Sequence, residues 1–177
     1  MKQIIVYGSR YGTARQYAEA LSRQCGIPCV SWQAAADIDS YDTIVYIGAL
    51  YAGGVLGLSK TFRTLQEPRN RRILIATVGL ADPSDPENTA HIKESLRRQV
   101  SGAVYDAARL YHLRGGIDYA KLCLKHRMMM AMLCKKVKSM PAENLRAEDH
   151  ALLETYNQKV DFVNFMSLAP LRDALQT

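Results

Sequence analysis

Residues 3–14 read QIIVYGSRYGTA, and the division of this stretch into strand, turn and helix decides the fold. Lys2–Gly8 is a short apolar run rich in β-branched residues that stops at a glycine, which predicts a strand buried on both faces. Ser9–Thr13 is polar and supplies a turn. From Ala14 the pattern changes period. Ala14, Tyr17, Ala18 and Leu21 fall at helical spacing, with Arg15, Glu19 and Arg23 on the other side, and Gly26 and Pro28 end the run.

The same alternation continues outward. TIVYIGA at 43–49 and RILIATV at 72–78 predict two further buried strands. Pro28–Trp32 and Ala107–Leu113 predict two weaker ones. Helical patterns cover Ser59–Glu67, Asn88–Val100, Ile117–Lys138 and Ala151–Phe165, and Leu50–Leu58 reads as a glycine-rich loop. Strands alternating with helices give a parallel sheet covered on both faces. The expectation is one doubly wound α/β domain over residues 1–177, with no internal repeat and no linker.

Composition narrows the class. The chain has 177 residues, of which 48% are hydrophobic and 23% charged, values typical of a globular domain. No apolar run approaches the ~20 residues of a membrane span, and the N-terminus lacks the apolar core and cleavage site of an export signal. The expected location is cytoplasmic. The net charge of +6 is unevenly placed. Residues 116–141 carry six basic side chains against Asp118 alone, while 142–177 are net acidic. Such a patch suits an anionic surface or ligand. Nucleic acid is not expected, for lack of zinc-finger spacing, an aromatic–basic RNA-binding segment or basic-region heptads.

In open α/β sheets ligands sit beyond the carboxyl ends of the strands. That selects three loops: Ser9–Ala14, Leu50–Gly54 and Gly79–Asp82. A turn that feeds a helix N-terminus collects free amides at the positive end of the helix dipole, which makes an anion site. Ser9 and Thr13 add hydroxyls, and Gly12 allows close backbone approach. Two common nucleotide motifs fail here. The P-loop requires Gly-Lys-Ser/Thr, and the dinucleotide fingerprint requires three spaced glycines where only Gly8 and Gly12 occur. A phosphate site shaped by hydroxyls and one glycine remains, suited to a mononucleotide.

IIVYGSRYGTARQYAEAL resembles the phosphate loop and first helix of the flavodoxin superfamily. Within it, the segment is similar to the flavodoxin-type menaquinone-dependent protoporphyrinogen IX dehydrogenases (oxidases), whose loop reads approximately Ser/Thr-Arg-x-Gly-x-Thr-Arg. Ser9, Arg10, Gly12 and Arg15 match it in place, and Ala14 stands where that family usually has a hydroxyl. IVYIGALYAGG resembles the second flavin loop, and ATVGLADP holds the place of the third. The resemblance implies a five-stranded sheet of order 2-1-3-4-5 and FMN as cofactor. The phosphate would lie on Ser9, Arg10, Tyr11, Gly12, Thr13 and Ala14. The ring would lie between Leu50, Tyr51, Ala52, Gly53 and Gly54 on one side and Gly79, Leu80 and Asp82 on the other. Tyr51 is suited to stacking on a planar ligand. The implied function is an FMN-dependent oxidoreductase passing electrons from a porphyrinogen-like donor to a quinone-type acceptor, with no protein acid or base as catalyst. A flavodoxin electron carrier and a flavin-free interaction module of the same fold are the alternatives.

The segment from Tyr111 to Asp149 is longer than an ordinary short flavodoxin needs before its last helix. It holds five of the seven methionines: Met128, Met129, Met130, Met132 and Met140. Tyr119, Leu122, Met129, Met130, Leu133 and Val137 form the expected packing stripe. The basic, methionine-rich surface over 117–138 suits peripheral contact with the inner face of a membrane, an apolar substrate or a second copy of the chain. LRGG-x-x-x-Tyr resembles the corresponding insertion of the dehydrogenases. The cysteines at 25, 29, 123 and 134 have neither redox-pair nor metal spacing and read as single buried thiols. His112 and Arg114 stand near the end of the last strand, where a substrate would sit.

Overall fold

The computed structural model describes residues 1–51 and 53–176. Five parallel strands form the sheet: β1 (Gln3–Gly8), β2 (Cys29–Ser31), β3 (Thr43–Tyr51), β5 (Arg72–Gly79) and β6 (Ala108–Arg114). Their order is β2-β1-β3-β5-β6. Counting parallel strands alone, this is the expected 2-1-3-4-5 arrangement. A short antiparallel strand, β4 (Gly54–Val55), adds to the end of β3 by pairing Leu50 with Val55 and Tyr51 with Gly54. The expected loop at 50–58 is therefore a hairpin. Ala52 lies outside the described residues.

The strand runs are continuous in hydrophobicity because both faces are covered. Ile5, Val45, Ile47, Leu74 and Ala76 point into one core with Tyr17, Ala18 and Leu21 of α1 (Thr13–Cys25). Ile4, Val6, Ile44, Tyr46, Ile73 and Ile75 point into the other. That second core is closed by Leu58 and Phe62 of α2 (Leu58–Phe62), Ile92 and Leu96 of α3 (Pro86–Gln99), and Val104 of α4 (Gly102–Ala107). The odd–even division is the period-two alternation of a pleated strand.

Beyond β6 the architecture departs from the sequence reading. Residues 117–138 are not one helix. β7 (Gly116–Asp118) comes first, then a single tight turn, then α5 (Leu124–Lys138). β7 pairs with β8 (Lys159–Asp161) as an antiparallel ribbon, with Ile117 opposite Val160. A side chain at Gly116 would lie 2.6 Å from the Val160 carbonyl oxygen, so the ribbon needs glycine there. The expected helix at 151–165 is divided as well. α6 (Ala147–Thr155) ends before Asn157, which takes a left-handed conformation at φ 60°. The closing helix is α7 (Ala169–Gln176), which buries Leu171, Ala174 and Leu175 in the α1 core. The expected helix at 59–67 is confined to α2. α4 is an element that the sequence pattern did not indicate.

Tyr17 ties this late segment to the sheet. Its buried hydroxyl donates to the Arg114 carbonyl at 2.7 Å and accepts from the Asn164 N–H at 2.9 Å. Tyr17→Phe strands both partners and is expected to cost about 2 kcal/mol, read as a drop in the thermal midpoint of roughly 4–8 °C. An unchanged midpoint would show that water replaces the hydroxyl without loss.

Candidate flavin site

The carboxyl ends of β1, β3 and β5 carry the three loops that the sequence singles out. The first is an uncapped helix start. Gly12 takes φ 99° and supplies no side-chain cap to α1. The first backbone hydrogen bond of the helix runs from Gln16 N–H to the Gly12 carbonyl at 2.9 Å, so the amides of Thr13, Ala14 and Arg15 precede it. A side chain at Gly12 would meet no atom within 4 Å. Free amides, the dipole end and open space coincide at this point, as anion binding requires. Ser9 Oγ accepts from the Gly12 N–H at 3.1 Å and holds the turn, while its own O–H remains to donate. Arg10 is exposed. The Ala14 methyl is fully buried in the α1 core, so this position offers a ligand its amide and no side chain. Thr13 Oγ1 lies 3.5 Å from the Gly116 carbonyl, a long contact that leaves the hydroxyl lightly held.

The second loop is the β3–β4 hairpin. Gly53, at φ 79°, has no atom within 4 Å of a built side chain, so its outer face is open. Its inner side is pinned to α3. The Gly53 carbonyl accepts from Ser95 Oγ at 2.8 Å, and the Val55 N–H donates to Gln99 Oε1 at 2.7 Å. A side chain at Gly54 would strike the Gln99 amide. Leu50 reaches across to the third loop, where a side chain on Gly79 would lie 2.7 Å from Leu50 Cδ1. The second and third loops are thus in contact through Leu50 and Gly79.

The third loop is shaped by its own turn. The Leu80 carbonyl accepts from Arg114 Nε at 2.9 Å, and the Gly79 carbonyl accepts from the Gly115 N–H at 2.7 Å. The Arg114 guanidinium also stacks on Phe162, 3.8 Å from the ring centroid. Arg114 therefore braces the loop from behind. Asp82 turns its carboxylate back onto Ser84, accepting from the N–H at 2.8 Å and the hydroxyl at 2.7 Å. Those bonds hold the Asp82 carboxyl below its ordinary range. His112 pairs with Thr77 Oγ1 at 2.8 Å inside the sheet face, where burial lowers its pKa.

The sequence reading missed His126. It is buried on α5 and contacts both Tyr11 and Tyr51, so the late segment covers the first two loops. Nothing in the hydrophobic period marks it, because a histidine within a Lys/Arg/Met run reads as a solvated position. The expected packing stripe is also displaced. His126, Cys134 and Val137 are the buried residues of α5, whereas Met129 and Leu133 are exposed. Tyr119 and Leu122 are buried but precede the helix. The single-buried-thiol expectation holds for Cys134 alone. Cys25 and Cys29 are half-buried, and Cys123 is exposed at the start of α5. The His126 amide and the Tyr11 hydroxyl lower the Cys123 pKa.

Among the described residues, no cluster of three or more metal-ligating side chains occurs, and no helix is long and apolar enough to cross a membrane. No curated protein sequence matches the chain. Several solved structures share similarity at low identity. A reduced flavodoxin from Megasphaera elsdenii is 11% identical, covers 85% of this chain and 94% of its own, and gives a TM-score of 0.47. A flavodoxin from Pseudomonas aeruginosa is 19% identical over 86% of this chain and 99% of its own, with a TM-score of 0.42. A Lactobacillus acidophilus flavoprotein in complex with FMN is 12% identical over 64% of this chain and 91% of its own, with a TM-score of 0.41. The flavodoxin domain family matches residues 4–143, a span that takes in all three loops and α5. With the strand order and the loop placement already described, the chain belongs to the flavodoxin domain family.

Proposed function

We propose that the protein is an FMN-binding oxidoreductase that resembles the flavodoxin-type protoporphyrinogen IX dehydrogenases and passes electrons to a quinone-type acceptor. The observation that carries the FMN part is the uncapped start of α1, with a left-handed Gly12 beside open space. The amides of Thr13, Ala14 and Arg15, with the Ser9 hydroxyl, would hold the phosphate. Tyr51 and the open face of Gly53 would border the ring, with Leu50, Gly79 and Leu80 behind them. Asp82 is committed to its own turn and would shape that loop. FMN, when bound, supplies the electron-transfer chemistry. The chain positions it and limits access to it. FMN bound by the Lactobacillus flavoprotein is consistent with this reading.

The test has two stages. Purified protein is expected to be yellow, with flavin absorbance bands and one FMN per chain by native mass spectrometry. The dithionite-reduced protein is then offered quinone and porphyrinogen in turn. Oxidation by quinone supports the dehydrogenase-like reading. Exchange with a partner flavoprotein or iron–sulfur protein alone would favour an electron carrier. A colourless protein that takes up no FMN would favour the flavin-free module.

A second observation bears on the acceptor. α5 exposes Leu124, Met128, Met129, Met132 and Leu133, and its last turn is Lys135, Lys136 and Lys138. Large apolar side chains beside a cationic cluster suit the headgroup region of an anionic membrane, where a quinone is met. Wild-type protein is expected to float with phosphatidylglycerol-containing vesicles at low salt. Glutamate at positions 135, 136 and 138 should weaken that binding at least tenfold. Wild-type protein that stays with the soluble fraction would remove the membrane reading.

A further inference from the structure

Tyr11 and Tyr51 leave neighbouring strands at matching points. Gly8 of β1 is paired with Gly48 of β3, and each tyrosine follows its glycine by three residues. His126 of α5 stands between them. Its Nε2 lies 2.7 Å from Tyr51 Oη, and its Nδ1 is hydrogen-bonded to Tyr11 Oη. Both phenol rings meet the imidazole edge-on, with centroids 5.6 Å and 5.4 Å away. His126 is 6% exposed, whereas Tyr11 is 43% exposed. One end of the chain of hydroxyls and imidazole therefore reaches water, and the middle does not.

A neutral imidazole has one N–H and one bare nitrogen. With a phenol at each, it accepts from one tyrosine and donates to the other. Burial alone asks that both ring nitrogens be paired; this arrangement adds a hydroxyl at each, one of them on an exposed residue, which is the bonding needed to pass a proton through the ring. Burial raises the pKa of Tyr11, so its O–H is intact at neutral pH; the Cys123 thiol, 3.8 Å away, is the weaker of two partners for that one proton, and the imidazole is the nearer.

We propose that Tyr11, His126 and Tyr51 are a proton relay from solvent to the redox ligand held against Tyr51, with His126 as the transfer group. The relay rests on the FMN reading above. At rest, Tyr11 O–H donates to Nδ1, Nε2–H donates to Tyr51, and the Tyr51 O–H is left to face the ligand. A bound flavin given two electrons by a reductant would need one proton, and the residues can deliver it. The Tyr51 O–H bond breaks toward the ligand, the Nε2 proton moves to Tyr51, the Tyr11 proton moves to Nδ1, and water reprotonates Tyr11. One solvent proton has entered, and no side chain has changed oxidation state. Reoxidation of the ligand runs the same transfers backward and restores the first tautomer.

The rival role is a tie that merely joins the two loops. His126→Asn separates them, since an amide bonds on both sides but does not pass a proton. FMN-loaded protein is mixed with reduced methyl viologen, whose oxidation releases no proton, in a stopped-flow cell holding a pH indicator, so that flavin bleaching and proton uptake are read separately. In wild type the two are expected to coincide. In His126→Asn, proton uptake should lag at least tenfold. Tyr11→Phe removes the solvent end and should give the same lag, which covers the case of an unfolded His126 variant. Without flavin, nitrogen-15 spectra should show one protonated and one bare nitrogen on His126. Coincident proton uptake in either folded variant, or an imidazole protonated on both nitrogens at pH 8, overturns the relay. Wild type that never loads FMN overturns the flavin reading itself, a result distinguishable at the first step.

Discussion

Replacing Gly12 with valine is expected to all but abolish FMN binding while the protein stays folded. Gly12 sits at φ 99°, a region closed to β-branched side chains. The added atoms meet open space, so the effect comes from the backbone and not from a clash. The turn must re-form with a negative φ, which swings the amides of Thr13 and Ala14 away from a common point. Loss of those charge-assisted bonds and of the dipole alignment is expected to weaken FMN by a hundredfold or more, on the order of 3 kcal/mol. The strain itself costs about 1–3 kcal/mol, less than the stability of a domain of this size. A fluorescence titration beside a thermal melt checks both halves. Native affinity in a folded Gly12→Val protein would move the phosphate elsewhere.

Gly8→Ala is expected to damage the fold more and the site with it. A side chain at Gly8 would lie 1.9 Å from the Leu56 carbonyl oxygen and 2.7 Å from the Tyr46 hydroxyl. Those two atoms are themselves hydrogen-bonded at 2.5 Å, inside the core. Relief requires the segment after β4 to lift off β1, and Gly57 then loses its contact with Trp32. Overpacking and the broken buried bond together are expected to cost about 3 kcal/mol. The thermal midpoint should fall by roughly 10 °C, and FMN affinity should fall because the same hairpin carries Tyr51. A melt within 2–3 °C of wild type, roughly 1 kcal/mol, would mean that the hairpin yields freely.

The parts of the molecule that depend on local sequence were legible, and those that depend on distant pairing were not. Ile4–Val6, Ile44–Ile47 and Ile73–Ala76 are apolar on both faces, and only a doubly covered parallel strand needs that pattern. The turn from Gly8 to Thr13 announces itself because hydroxyls and a glycine separate a period-two run from a period-3.6 run. The β7–β8 ribbon joins residues 116–118 to 159–161, and no local signal in Ile117 or Val160 states that partnership. α5 misleads for a different reason. It buries a histidine and a cysteine and exposes leucines and methionines, so its hydrophobic period points away from its packed face. The site divides in the same way. The amides at Gly12–Ala14 follow from chain order, whereas the link of Tyr11 to Tyr51 through His126 exists only once α5 has folded back across the strand ends.

The proposed grip of the α1 amides on a phosphate is tested most directly by titrating flavin-free protein with FMN and with riboflavin under the same conditions. Riboflavin carries the ring without the phosphate. FMN is expected to bind one per chain and at least a hundredfold more tightly than riboflavin. Equal affinities would contradict the phosphate site, and no binding of either would contradict the flavin assignment altogether.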